Sequence, residues 1–189
     1  MKRSSFLKAC LGIGAFLSAP LAAVAARKNR VGKGVLVPAG KDRLGKSMKP
    51  FVGDEFFCKV STQDTDGDLY IFESTREKEG GPPLHFHYDQ DEWWYILEGT
   101  FLVKVGDETY TAKAGDCVFG PRRVPHTFAK VGEGQGRLIM LFQPAGKMEA
   151  FFKARDEGLV AKMTAEELDN FRKAHGFEHM GPPLTIQKK

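Results

Sequence analysis

The sequence predicts an all-β barrel or sandwich with a helical C-terminal appendage, and three observations carry that expectation. Across residues 51–144, short β-branched and aromatic runs alternate with turn signals, and no helix-length pattern intervenes. After Pro144 the apolar spacing changes to a helical period. The chain has 189 residues, of which 42% are hydrophobic and 11% aromatic. That suffices for one buried core and excludes a disordered or low-complexity chain.

Taken in order, residues 1–26 read as an export signal. Lys2 and Arg3 give a charged start, residues 9–23 are uncharged and rich in Leu, Ala and Gly, and Ala23-Val24-Ala25 offers the small residues a signal peptidase requires. The run is short for a membrane span, and Pro20 lies near its end. Lys2-Arg3 with the residues after it is similar to a twin-arginine motif whose second Arg is missing, so the export route stays open. Leu7-Lys8-Ala9-Cys10 precedes the apolar run instead of ending it, which argues against lipid attachment. The expectation is a periplasmic or secreted protein with no stable membrane span in its mature form. Its charge would be nearly balanced, 25 basic against 24 acidic residues once Lys2, Arg3 and Lys8 are gone. Nothing in that balance favours a nucleic-acid partner.

Residues 27–50 are rich in Gly, Lys and Pro and read as an irregular lead-in with one apolar stretch, Val35-Leu36-Val37. Strands are expected over 56–60, 69–72, 85–87, 92–97, 100–105, 108–112, 117–119, 127–131 and 137–142. Asp64-Thr65-Asp66-Gly67-Asp68 lacks the later Glu of a calcium loop and reads as a hairpin turn using Asp66-Gly67. Helices are expected over 147–157 and 164–174. Thr164 with Glu167 makes a capping box, and Gly176 stops the second helix. Phe151, Phe152, Leu159, Leu168 and Phe171 would be their apolar face. This 147–189 extension is expected to pack on the barrel or on a second subunit, the latter giving a homodimer. Cys58 and Cys117 are expected as two buried, unpaired thiols, with a disulfide as the alternative.

The chemistry is concentrated around four residues. His85-Phe86-His87 places two imidazoles on one strand face, because side chains alternate with a period of two. Glu92 opens the next strand, and His126 ends the turn that begins near Gly115. Imidazole and carboxylate together suit one divalent first-row transition metal: Mn, Fe, Co, Ni, Cu or Zn. If Glu92 points inward, Trp94 and Ile96 share its face and Phe128 shares that of His126, which makes them either barrel filling or candidate substrate-binding walls. Arg122 and Arg123 read as a solvated turn, with anion recognition as the alternative, and His175 and His179 as surface residues.

At these residues the sequence resembles the cupin superfamily. His85, His87, Glu92 and Gly99 fit the first cupin motif, although Gly80 lies one residue too close. Gly115, Pro121 and His126 fit the second, with Arg123 in place of a Gly and Lys130 in place of an Asn. The resemblance implies a double-stranded β-helix, or jelly-roll barrel, over residues 51–146, with His85, His87, Glu92 and His126 as metal ligands. The ligand set and the length look like the quercetin dioxygenase-like branch. That likeness implies a dioxygenase acting on a flavonol-like or other enolic or phenolic small molecule, with Glu92 as both ligand and catalytic proton acceptor. Two other uses of the same site are a metal-dependent isomerase or lyase on a sugar or small acid, and a non-catalytic small-molecule binder.

Overall fold

The computed structural model describes residues 30–186. The signal expected over residues 1–26, with Cys10 in it, lies outside the described residues. Among the described residues, ten strands form two five-stranded antiparallel sheets. In chain order they are β1 (Asp54–Val60), β2 (Tyr70–Arg76), β3 (His85–His87), β4 (Asp91–Glu98), β5 (Thr100–Val105), β6 (Glu108–Lys113), β7 (Cys117–Gly120), β8 (His126–Val131), β9 (Gly136–Gln143) and β10 (Phe177–His179). One sheet has the order β1-β2-β9-β4-β7 and the other β10-β3-β8-β5-β6. Two helices, α1 (Met148–Asp156) and α2 (Ala165–Ala174), lie between β9 and β10.

Strand alternation builds the core. Phe56 and Cys58 on β1, Tyr70 and Phe72 on β2, and Trp94 and Ile96 on β4 point inward at intervals of two and are buried. The connection between β1 and β2 is longer than a two-residue hairpin. Ser61 caps a 3-10 turn over Thr62–Thr65, and Asp66 and Gly67 follow with φ of 54° and 86°. The expected turn residues are therefore in place, and a short helix precedes them. Asp64 accepts a hydrogen bond from Arg43 at 2.8 Å, so this carboxylate serves the lead-in segment.

The helices dock through aromatic contacts. Phe152 meets Phe56 and Phe72 edge-on at 5.1 and 5.3 Å, and Phe151 meets Phe177 at 4.8 Å. Glu149 completes the attachment by accepting from the Thr62 amide at 2.8 Å and from the Ser61 hydroxyl at 3.0 Å. The capping box of Thr164 and Glu167 forms as the sequence implies. Three expectations need correction. Leu159 is exposed, because it follows the end of α1 in a turn and leaves the apolar face. Cys117 is exposed while Cys58 is buried, and both thiols are free. They stand on β7 and β1, opposite edges of one sheet four strands apart. At about 4.8 Å per strand that far exceeds the reach of a disulfide. The third correction is β10, which falls inside the region expected to be helical. Gly176, at φ 94°, ends the helix and turns the chain into a strand paired with β3.

Phe152→Ala should remove about 3–5 kcal/mol of stability, because its ring is buried against the barrel. Urea unfolding measures this. A loss below about 1 kcal/mol would show that α1 is not seated as described.

Candidate metal centre

The site is assembled by register. His85 on β3 stands directly opposite His126 on β8, so the two rings meet across the ladder. His87 shares the inward face of β3, and Glu92 enters from β4 in the other sheet. The four side chains are buried, and one ligand atom from each lies within 4.8 Å of the others. The Glu92 Oε2 atom is 3.1 Å from His126 Nε2, 3.2 Å from His87 Nε2 and 3.9 Å from His85 Nε2.

Backbone carbonyls fix two of the rings. The His85 Nδ1–H donates to the Pro83 carbonyl at 2.8 Å, and the His126 Nδ1–H donates to the Val124 carbonyl at 2.9 Å. A carbonyl can only accept, so in each neutral ring the proton sits on Nδ1 and the Nε2 lone pair faces inward. Both nitrogens of His87 are buried without a hydrogen-bond partner, although its Nε2 is close to Glu92. Imidazole lone pairs aimed at a carboxylate oxygen repel it unless a cation lies between them. Burial, helped by the neighbouring His126 and His87, pushes the His85 pKa down to about 3 and keeps that ring neutral. Burial also lowers His87, against the opposing pull of Glu92. For Glu92, burial alone would raise the pKa. Rings protonated on Nε2 would outweigh that and lower it, and with lone pairs facing inward a cation among the four groups would do the same.

The donor set therefore fits a divalent transition metal. Bonds of about 2.0–2.2 Å place adjacent ligand atoms about 3 Å apart and opposite ones about 4.2 Å apart. The distances of 3.1, 3.2 and 3.9 Å span that interval. The fixed Nδ1–H donors are the outer hydrogen bonds that metal-bound histidines ordinarily make.

Arg123 locks the two halves of the site together. It adopts φ 66°, the left-handed region, at the position where the resembling motif has Gly. Its amide donates to the His87 carbonyl at 2.7 Å, and its Nε donates to the Tyr88 carbonyl at 3.1 Å. The side chain that makes this turn costly also ties it to the strand bearing His87.

A cavity of about 490 Å³ opens on the site. Glu92, His85 and Phe128 line it, and Trp94 and Ile96 do not. The latter two share the face of Glu92, as their spacing implies, but they lie deeper in the core. There Trp94 supports His126 edge-on at 5.4 Å. His179 is half-buried in register with His85 and lines the same cavity, which corrects its expected surface placement. His175 is also half-buried, against Phe171 at 4.1 Å.

Sequence reading also missed Arg76 and Asp54. These paired neighbours on β2 and β1 face the cavity at a separation of 3.0 Å. A signal existed. Tyr70, Phe72, Ser74 and Arg76 occupy alternate positions, so the strand that buries Phe72 also drives a guanidinium inward.

Comparison with known proteins agrees with this geometry. Residues 72–142 match the family model described as "Cupin domain". That stretch is a cupin domain. The match runs from β2 to β9 and includes all four candidate ligands. An uncharacterized protein of Methanocaldococcus jannaschii is 39% identical to this chain over 61 residues, 32% of this chain and 49% of its own. The chain thus spans about half the length of that curated relative. Two solved structures share the fold. KdgF from Halomonas sp. has a TM-score of 0.51 and 20% identity, covering 59% of this chain and 94% of its own. An RmlC-like cupin from Shewanella frigidimarina has a TM-score of 0.50 and 20% identity, covering 63% and 99%. The two sheets are the jelly-roll barrel of this superfamily, with the C-terminal helices added to it.

Substituting His87 or His126 with Ala should abolish most metal uptake under conditions that load the wild type, while far-UV circular dichroism keeps its β signature. Full metal content in both variants would exclude them as ligands.

Proposed function

We propose that this cupin is a metal-dependent enzyme acting on a small enolic or phenolic molecule, with dioxygenation as its reaction. The observation that carries this reading is the cavity whose aromatic wall, including Phe128, Phe142 and Phe177, reaches Glu92 and His85. Its volume of about 490 Å³ lies within the usual range for small-molecule sites. Flat apolar walls suit a planar, conjugated substrate, and the ligand cluster gives its oxygens a destination. A divalent transition metal bound by His85, His87, Glu92 and His126 would supply Lewis acidity and open positions for oxygen atoms.

The chain's own residues would divide the remaining work. The Pro83 and Val124 carbonyls hold His85 and His126 in orientation. Glu92, whose carboxyl is held ionised, is the group able to take a proton from an enol or phenol. Phe128 and Phe142 would restrict water around the reacting oxygens. A second reading, an isomerase or lyase acting on a small acid, is favoured by the buried Arg76 in the same cavity. Oxygen consumption separates the two, because isomerisation and elimination consume none.

We place the mature protein outside the cytoplasm, on the strength of the charged start, the apolar run and Ala23-Val24-Ala25. N-terminal sequencing from the source cell should begin near Ala26 or Arg27, and an intact Met1 in the cytoplasmic fraction would contradict export.

Glu92→Gln keeps the shape and an oxygen donor but removes most of the basicity. It should retain much of the metal and lose oxygen uptake with a polyphenol by about 10²–10⁴-fold. Undiminished turnover would exclude the base role. A metal-loaded wild type that binds polyphenols without consuming oxygen would overturn the dioxygenase reading.

A further inference from the structure

The charge inside the cavity does not match a neutral substrate. Arg76 is buried at 6% exposure, yet only part of its guanidinium is satisfied by the protein. One terminal nitrogen meets Asp54 at 3.0 Å, and Nε has no hydrogen-bond partner. The guanidinium carbon lies 4.6 Å from the centre of the Phe128 ring, which holds the plane in place from one side. Phe128 lines the cavity with Arg76, so the fork is fixed where a ligand can reach it. A buried donor without a partner is destabilising, the more so when it is charged.

Two further cations face the same space from the helices. Arg155 of α1 and Arg172 of α2 both line the cavity. Arg155 stacks at 4.4 Å on Phe51 and reaches only the Pro50 carbonyl, at 3.4 Å. Arg172 has a carboxylate no nearer than Asp169, at 3.9 Å. Burial and the proximity of Arg172 both lower the Arg155 pKa, so the two like charges oppose each other. Counting Lys78, the cavity is lined by four cationic side chains against the carboxylates of Asp54, Glu79 and Glu92. A divalent metal would raise this excess further.

We infer that Arg76 is the recognition site for a carboxylate or similar anionic oxygen group on the substrate, with Arg155 and Arg172 drawing that anion into the cavity. The inference rests on the metal-centred reading and narrows its substrate class to phenolic or enolic acids. The diol or enol end lies toward the His and Glu cluster, and the acid end lies on the guanidinium. A planar fork with a free N–H suits a carboxylate, whereas a neutral flavonoid ring would leave it unpaired. Asp54 is then the internal counter-ion that holds Arg76 in place until a substrate anion arrives.

The test uses the zinc-loaded full chain, calorimetry and a matched set of probes. Catechol carries the chelating diol alone, while 3,4-dihydroxybenzoate and 3,4-dihydroxyphenylacetate add a carboxylate at two different reaches. The tighter of the two acids should bind at least about tenfold better than catechol. Arg76→Gln should bring that ratio close to one and leave catechol affinity and zinc content unchanged. Asp54→Asn, which frees the guanidinium, should raise the ratio. A merely structural pair would instead weaken both probes in both variants. No preference in the wild type, or an unchanged ratio in Arg76→Gln, overturns the inference. If Arg76→Gln does not fold, a fall in the ratio in Asp54→Asn overturns it alone. Oxygen uptake is not part of this readout, so the anion site and the oxygenase reading fail separately.

Discussion

Much of this molecule is arranged around imidazole nitrogens directed at the buried Glu92 carboxylate. An ionised carboxylate in such a place costs several kcal/mol unless it is paired. The protein denies it the simplest partner, since the Pro83 and Val124 carbonyls claim the ring protons of His85 and His126 and turn their lone pairs inward. A cation held among them would reconcile these groups. Register enforces the arrangement. A slip of one residue in β3 would send both of its histidines to the other face, and the pairing of His85 with His126 and the Arg123 bond to the His87 carbonyl oppose that slip.

The helical appendage belongs to this account because it supplies part of the cavity wall. Phe151 and Phe152 anchor α1 to the core, and the chain then returns through β10 to pair with β3, the strand carrying two of the histidines. Phe177 of β10 packs against His87 at 5.5 Å and His85 at 5.8 Å. Thus the segment outside the matched cupin region closes the cavity and also buttresses the site. Changes in α1 or α2 would be felt at the histidines through packing, because a dense interior transmits small shifts.

The sheets and the ligand cluster were legible in the sequence because both depend on short-range patterns. Period-two alternation exposed nearly every strand, and His-x-His is the smallest unit that puts two imidazoles on one face. What was not legible depends on distance along the chain. Trp94 and Ile96 were assigned to the right face, but depth within the barrel, which decides between core and cavity wall, has no period. The strand at Phe177–His179 is three residues long and exists only because β3 offers it an edge. Arg76 was visible as an inward position, yet its role requires Asp54, Phe128 and the helix arginines to be known as its neighbours. Cys117 misled because a small apolar residue on an edge strand carries no local mark of exposure.

If three histidines and Glu92 hold one metal ion together, its coordination shell must contain all four side chains. X-ray absorption spectroscopy of the zinc-loaded wild type reads this coordination shell directly. The expected shell is three imidazole nitrogens with the outer-ring scattering of rigidly held rings, plus carboxylate oxygen, at about 2.0–2.2 Å. A shell containing fewer than two imidazoles, or dominated by water oxygens, would contradict it.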